Sequence, residues 1–114
     1  MRQDEGMNIC FLIRRFDFGG AENYVREHAN SFCETGHTVY VFSRKGRQQR
    51  LLSPKVTFCR LRLSKWLLPL NLLYLIFLAK KYKIDIIHAQ QASAIRAGSW
   101  LGKITGIPVI VTIH

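Results

Sequence analysis

Cysteine is scarce in this chain. Cys10, Cys33 and Cys59 are odd in number and lack C-x-x-C spacing. That argues against a disulfide framework and a zinc site. Each lies in an apolar stretch, so the three read as buried, reduced thiols of a cytosolic protein. Long hydrophobic runs are scarce too. The stretch WLLPLNLLYLIFLA at residues 66–79 is interrupted by Pro69 and Asn71. A bilayer-spanning helix needs about 20 apolar residues, so this stretch reads as a buried or interfacial helix. The opening MRQDEG is polar and acidic, which does not fit a secretory leader. Neither G-x-G-x-x-G nor G-x-x-x-x-G-K-[ST] occurs, which disfavours a dinucleotide dehydrogenase and excludes a P-loop. The end of the second apolar strand pattern carries Ser43 and Arg44 in place of the acid a dinucleotide-binding oxidoreductase uses there.

Acid is scarce too, and unevenly placed. After Glu34 the only carboxylate side chain is Asp85, and the net charge is +10. The imbalance is local: residues 41–83 hold eleven Lys and Arg and no acid. A one-signed block attracts lipid head groups, nucleic acid or phosphorylated ligands, or else it forms a solvated face. No RNA-binding motif or interleaved aromatic platform accompanies it, so nucleic acid is not an expected partner.

What is present fits one domain with a packed core, since 114 residues are 48% apolar. Residues 7–13 (MNICFLI) read as a buried strand. Residues 14–20 form a loop ending in Gly19 and Gly20. A helix over 21–35 follows from apolar spacing at Ala21, Tyr24, Val25, His28, Ala29, Phe32 and Cys33, with Gly36 at its C-terminal stop. Residues 38–43 (TVYVFS) read as a strand, and 44–50 as a basic loop. Residues 55–63 (KVTFCRLRL) read as a third strand. A helix begins near 65–70, with Pro69 in or before its first turn, and ends at the lysines of 80–83. Residues 84–89 (IDIIHA) make a strand. Residues 93–105 make a helix whose small face, Ala94, Gly98 and Gly102, suits close approach to a sheet. Residues 107–113 (IPVIVTI) make a last strand. Strands that are continuously apolar imply burial on both faces, hence a parallel sheet flanked by helices.

In such sheets ligands bind beyond the carboxyl ends of the strands. Gly19 and Gly20 allow a backbone to approach a ligand, and the helix start that follows offers free N–H groups to a phosphate. The same two glycines also suit a plain turn. Among the histidines, His37 and His28 read as structural. His88 reads as structural or ligand-facing. His114, at the end of the last strand, stands where catalytic groups gather and suits hydrogen bonding to developing charge. Glu22 reads as a first-turn acid favoured by its helix dipole.

The stretch FGGAENYVREHANSFCETGHTVYVFS resembles the opening of family 4, GT-B type glycosyltransferases: a strand, a GGAE loop, a helix and a G-H-x-V-x-V strand. A second stretch, DIIHAQQASAIRAGSWLGKITGIPVIVTIH, resembles that family's D-I-I-H-A-H segment, the next helix and its G-I-P-V-V-x-T-x-H strand. The resemblance implies a Rossmann-like parallel sheet flanked by helices, part of the N-terminal, acceptor-side domain of a two-domain enzyme. It implies retaining transfer of a sugar from a nucleotide-sugar to a glycan or lipid-linked acceptor in glycan, polysaccharide or glycolipid synthesis. Carried over residue by residue, Gly19 and Gly20 lie near the donor diphosphate, His114 is the histidine at the reacting sugar, and His88 matches the first histidine of H-A-H. Gln90 stands where many members have the second. No metal or cofactor is implied, the nucleotide-sugar being a co-substrate.

The family's E-x7-E carboxylates belong to the donor domain, and the shortage of acid after Glu34 leaves no place for them here. Residues 1–114 are therefore expected to be a partial domain, inactive alone. The expected setting is cytoplasmic, peripheral on the inner face of the plasma membrane through residues 41–83. The competing reading is a non-catalytic basic module that binds anionic membrane or phosphorylated ligands.

Overall fold

Residues that are apolar on both sides of a strand need cover on both sides, and β1 (Asn8–Arg15) has it. Its Ile9, Cys10, Phe11, Leu12 and Ile13 are all buried. The fold is a computed structural model that describes residues 6–15, 20–44, 46–61 and 68–112. After β1 come α1 (Gly20–Glu34), β2 (Thr38–Arg44), a 3₁₀ turn (Arg47–Leu51), β3 (Thr57–Arg60) and α2 (Leu68–Lys81). The order closes with β4 (Ile86–Gln90), α3 (Ala92–Thr105) and β5 (Val109–Thr112). Among the described residues the strands form one five-stranded sheet in the order β3-β2-β1-β4-β5. Every neighbouring pair is parallel. This is an α/β, Rossmann-like arrangement.

The alternation along β1 divides the core. Ile9, Phe11 and Ile13 join Val39, Val41 and the α1 residues Val25, Ala29 and Cys33. Cys10 and Leu12 join Phe42 and Ile87, beneath Leu75 and Leu78 of α2 and Ala97 and Leu101 of α3. So α1 covers one face and α2 with α3 the other. That division follows from the connections. The chain moves from β1 to β3 in one direction and from β3 to β5 in the other, and right-handed crossovers then place helices on opposite faces.

Local signals set the helix ends. Gly36 has φ 96°, and the His37 N–H donates to Phe32 O at 3.1 Å, closing α1. Gly106 has φ 78°, and its N–H bonds Gly102 O at 2.8 Å, closing α3. Basic Lys80 and Lys81 occupy the last turn of α2, as the helix dipole favours. On α3, a Cβ added at Gly98 would lie 3.0 Å from the Ala89 Cβ, and one at Gly102 would lie 2.5 Å from Val109 Cγ2. The small face expected there is what lets α3 sit against β4 and β5.

Three expectations are adjusted. The third strand covers only Thr57–Arg60 of the expected 55–63, and residues 62–63 lie outside the described set. The basic loop contains the 3₁₀ turn, whose buried Gln48 donates to Asn23 Oδ1 at 2.7 Å. Cys10 and Cys33 are buried but Cys59 is half-buried. Burial, with Cys59 nearby, pushes the Cys10 thiol far above its usual range, which leaves it inert.

The basic block, continuous in sequence, is divided in space. Arg44 and Arg60 end β2 and β3 at the carboxyl edge of the sheet, whereas Lys80, Lys81 and Lys83 lie where α2 returns to the start of β4, at the opposite edge. All five are exposed.

Candidate functional site

β1 and β4 are hydrogen-bonded neighbours, yet the chain leaves β1 toward α1 and leaves β4 toward α3, on opposite faces of the sheet. This is the topological switch point, where a crevice opens beyond the strand ends. Gly20 begins α1 at this edge. Gly36 and Gly106, which end α-helices, have positive φ, and Gly98 and Gly102 inside α3 are crowded. Gly20 is different: a Cβ built on it meets nothing within 4 Å among the described residues. Its backbone faces open space at the start of a helix, where unpaired N–H groups and the helix dipole suit an anion.

Opposite it stands Gln91, the residue between β4 and α3. Its φ is 71° and its ψ 148°, a region that side-chain-bearing residues seldom occupy. Its side chain does not cap its own helix. Instead Oε1 accepts from the Arg14 N–H at 3.1 Å, and Nε2 donates to Glu22 Oε1 at 3.2 Å. One side chain thus ties the end of β1, the first turn of α1 and the start of α3 together across the switch point. Glu22 is buried. It lies in the first turn, as its reading as a helix-dipole acid requires, and the bond to Gln91 is a second role. Gln90 is buried one residue earlier, in register with Ile13 and Thr112.

The histidines separate by environment. His37 Nδ1 accepts from the Met7 N–H at 3.0 Å, pinning the entry to β1. His28 Nδ1 is 2.9 Å from Tyr24 O, and the ring stacks on Tyr24 with centroids 3.8 Å apart. Both roles are structural.

His88 lies mid-strand on the α1 side, its ring centroid 4.9 Å from Phe11 and 6.2 Å from Phe32. Its Nδ1 is buried with no hydrogen-bond partner among the described residues. Burial, then the neighbouring His28, holds its pKa below the ordinary 6.5, so the ring is neutral at neutral pH. Phe32 is twelve residues beyond Gly20 on α1, roughly 18 Å along the axis at 1.5 Å per residue. His88 and Gly20 are therefore not brought together. Gly19 and His114 lie outside the described residues.

Gln91 is the residue the sequence did not single out. The one signal is a polar pair, Gln90 and Gln91, where an apolar strand gives way to a helix. Among the described residues no three His, Cys, Asp or Glu side chains gather as a metal-ligand set.

Comparison with known proteins agrees with this fold. A crystal structure of a glycosyltransferase from Rickettsia africae ESF-5 superposes with a TM-score of 0.78 at 18% identity, over 95% of this chain and 29% of that one. The chain thus spans less than a third of that protein. The C-terminal domain of a hydrogenase from Pyrococcus furiosus superposes with a TM-score of 0.63 at 12% identity, covering 97% of this chain and 94% of that domain. At such identities both likenesses speak to the fold alone. No curated protein matches the sequence. The model of Glycosyltransferase Family 4, however, matches residues 18–114. That match takes in α1 and every element after it, and the chain belongs to glycosyltransferase family 4.

Proposed function

We propose that this chain supplies the acceptor-side portion of a retaining transferase that moves a sugar from a nucleotide-sugar to a glycan or lipid-linked acceptor. The observation that carries the reading is Gly20: at the switch point, at a helix start, where among the described residues no neighbour accounts for a missing side chain. Close approach of a ligand diphosphate accounts for it. Gly19, beside it, shares that role, and His114 follows the strand next to β4, placing a hydrogen-bonding group for the reacting sugar. His88 stands behind this set, where its neutral ring packs on Phe11. The Gln91 bridge keeps the two helix starts in fixed relation, which suits a site that must be preorganised. No metal or cofactor enters this reading. The exposed cations suit an anionic surface near the acceptor, at the inner face of a membrane in the cytoplasm.

Amide chemical shifts of the chain titrated with nucleoside diphosphates and nucleotide-sugars test the reading. The expected outcome is perturbation at Gly20, Glu22 and Gln91. Gly20→Val should abolish those shifts while leaving the fold intact. Perturbations confined to the β3 or β5 edges, or none at millimolar ligand, would overturn it.

A further inference from the structure

α2 is apolar on its outer side as well as its inner one. Leu75, Leu78 and Ala79 face the core, while Leu70, Leu73, Tyr74 and Phe77 are 64%, 66%, 43% and 58% exposed. The exposed four follow i, i+3, i+4, i+7 spacing and so form one stripe. Solvent alone does not favour such a stripe, and a contiguous apolar surface of this kind marks an interaction face. Cations continue it. Lys80 and Lys81 fill the last turn, and Lys81 Nζ lies 5.9 Å from the Phe77 ring centroid and 5.4 Å from that of Tyr82. α3 packs beside α2 in the same layer. It exposes Trp100 to 50%, with Lys103 Nζ 5.4 Å over its ring. Neither helix contains an acid. The nearest acid in sequence, Asp85, accepts from the Asn8 N–H at 2.7 Å.

We propose that the outer surface of α2 and α3 docks onto an anionic lipid bilayer. The apolar stripe sinks to the acyl boundary, and the lysines at the ends of the two helices meet head-group phosphates. This deepens the membrane reading given above and rests on it, but it moves the contact from a stretch of sequence to one face of the fold. Charge complementarity selects the occupant. A second copy of a chain of net charge +10 would bring like charges face to face. An anionic surface takes up those charges, with aromatic rings at the head-group level. Among the described residues no helix is long and apolar enough to cross a membrane, so α2 lies in the interface plane. The lysine ends sit at the sheet edge away from the crevice, which stays uncovered.

Cosedimentation of the full chain with vesicles of phosphatidylcholine, or of equal parts phosphatidylcholine and phosphatidylglycerol, tests this. Binding should be confined to the anionic vesicles and weaken with salt. Leu73→Gln with Phe77→Gln, which leaves charge unchanged, should weaken it at least about tenfold. Lys80→Gln with Lys81→Gln should weaken it about 30-fold, at the usual contribution of a lysine near an anionic surface. In a Trp66→Phe background, Trp100 emission should shift to the blue on anionic vesicles only. Circular dichroism checks that each variant is folded. Anionic binding that survives the Leu73/Phe77 change but is lost with Arg44→Gln and Arg60→Gln would overturn the docking face while keeping a membrane contact. No binding to either vesicle would overturn both readings. A dimer in sedimentation equilibrium that dissociates on the Leu73/Phe77 change would give the face to a second copy and overturn the proposal.

Discussion

At the scale of single residues, Gln91 combines two opposing terms. Its backbone angles carry strain of about 1–3 kcal/mol. Its side chain makes two hydrogen bonds, one of them to the buried carboxylate of Glu22, and leaving such a group unpaired costs about 1–3 kcal/mol. Gln91→Ala keeps the strain and loses both bonds, so urea denaturation should show it about 2–3 kcal/mol less stable than the parent. Gln91→Gly also loses the bonds but relieves the strain, and should lie within about 1 kcal/mol of the parent. Equal stabilities for the two variants would show that the backbone is not strained. None of this was legible in the sequence, because glutamine carries no conformational signal of the kind glycine does. Gly36, by contrast, announced its positive φ by residue type and place. Gly20 was readable as a candidate site glycine only through the order strand, loop, helix. What distinguishes it from the other glycines is the space around it, which no spacing rule contains.

At the scale of elements, helices and strands followed from periodicity, because each buries a face against the same sheet. The face of α3 was readable from Ala94, Gly98 and Gly102, and it makes a test in which two effects disagree in sign. Propensity alone favours alanine over glycine inside a helix by about 1 kcal/mol. Packing opposes it: a Cβ at Gly102 would meet Val109 Cγ2 at 2.5 Å and the backbone oxygen of Ile107 at 3.0 Å. The valine tip can shift, whereas the carbonyl belongs to the turn that carries the chain into β5. Overpacking of this kind costs about 1–3 kcal/mol, so Gly102→Ala should lower the melting temperature. A rise would mean that α3 moves off the sheet freely. The 3₁₀ turn was not readable, because Gln48 is held by Asn23 of α1, 25 positions earlier. The division of the basic block was hidden for a related reason. α2 reverses the chain between Arg60 and Lys80, so charges close in sequence end at opposite edges.

At the scale of the whole molecule, the parallel sheet was readable as a class from its unbroken apolar strands, but the strand order was not, since pairing is long-range. That order places β1 at the centre, between β2 and β4, and β1 supplies both cores. Phe11 is completely buried among Val25, Ala29, Val39 and Val41, and Leu12 is completely buried beneath α2 and α3. Neither helical layer can therefore detach without exposing half of the same strand. A domain of this size has about 5–15 kcal/mol of stability, and truncating a buried phenylalanine costs about 3–5 kcal/mol. Phe11→Ala should then lower the urea midpoint as seen from both sides of the sheet. One probe is Trp100 emission on α3 in a Trp66→Phe background, and the other is the His88 ring resonances on the α1 side. The two transitions should coincide in the parent and remain coincident in the variant, since the mutated strand is common to both cores. If the His88 transition shifted while that of Trp100 stayed in place, the two faces would be separate cooperative units, and β1 would not be the element that joins them.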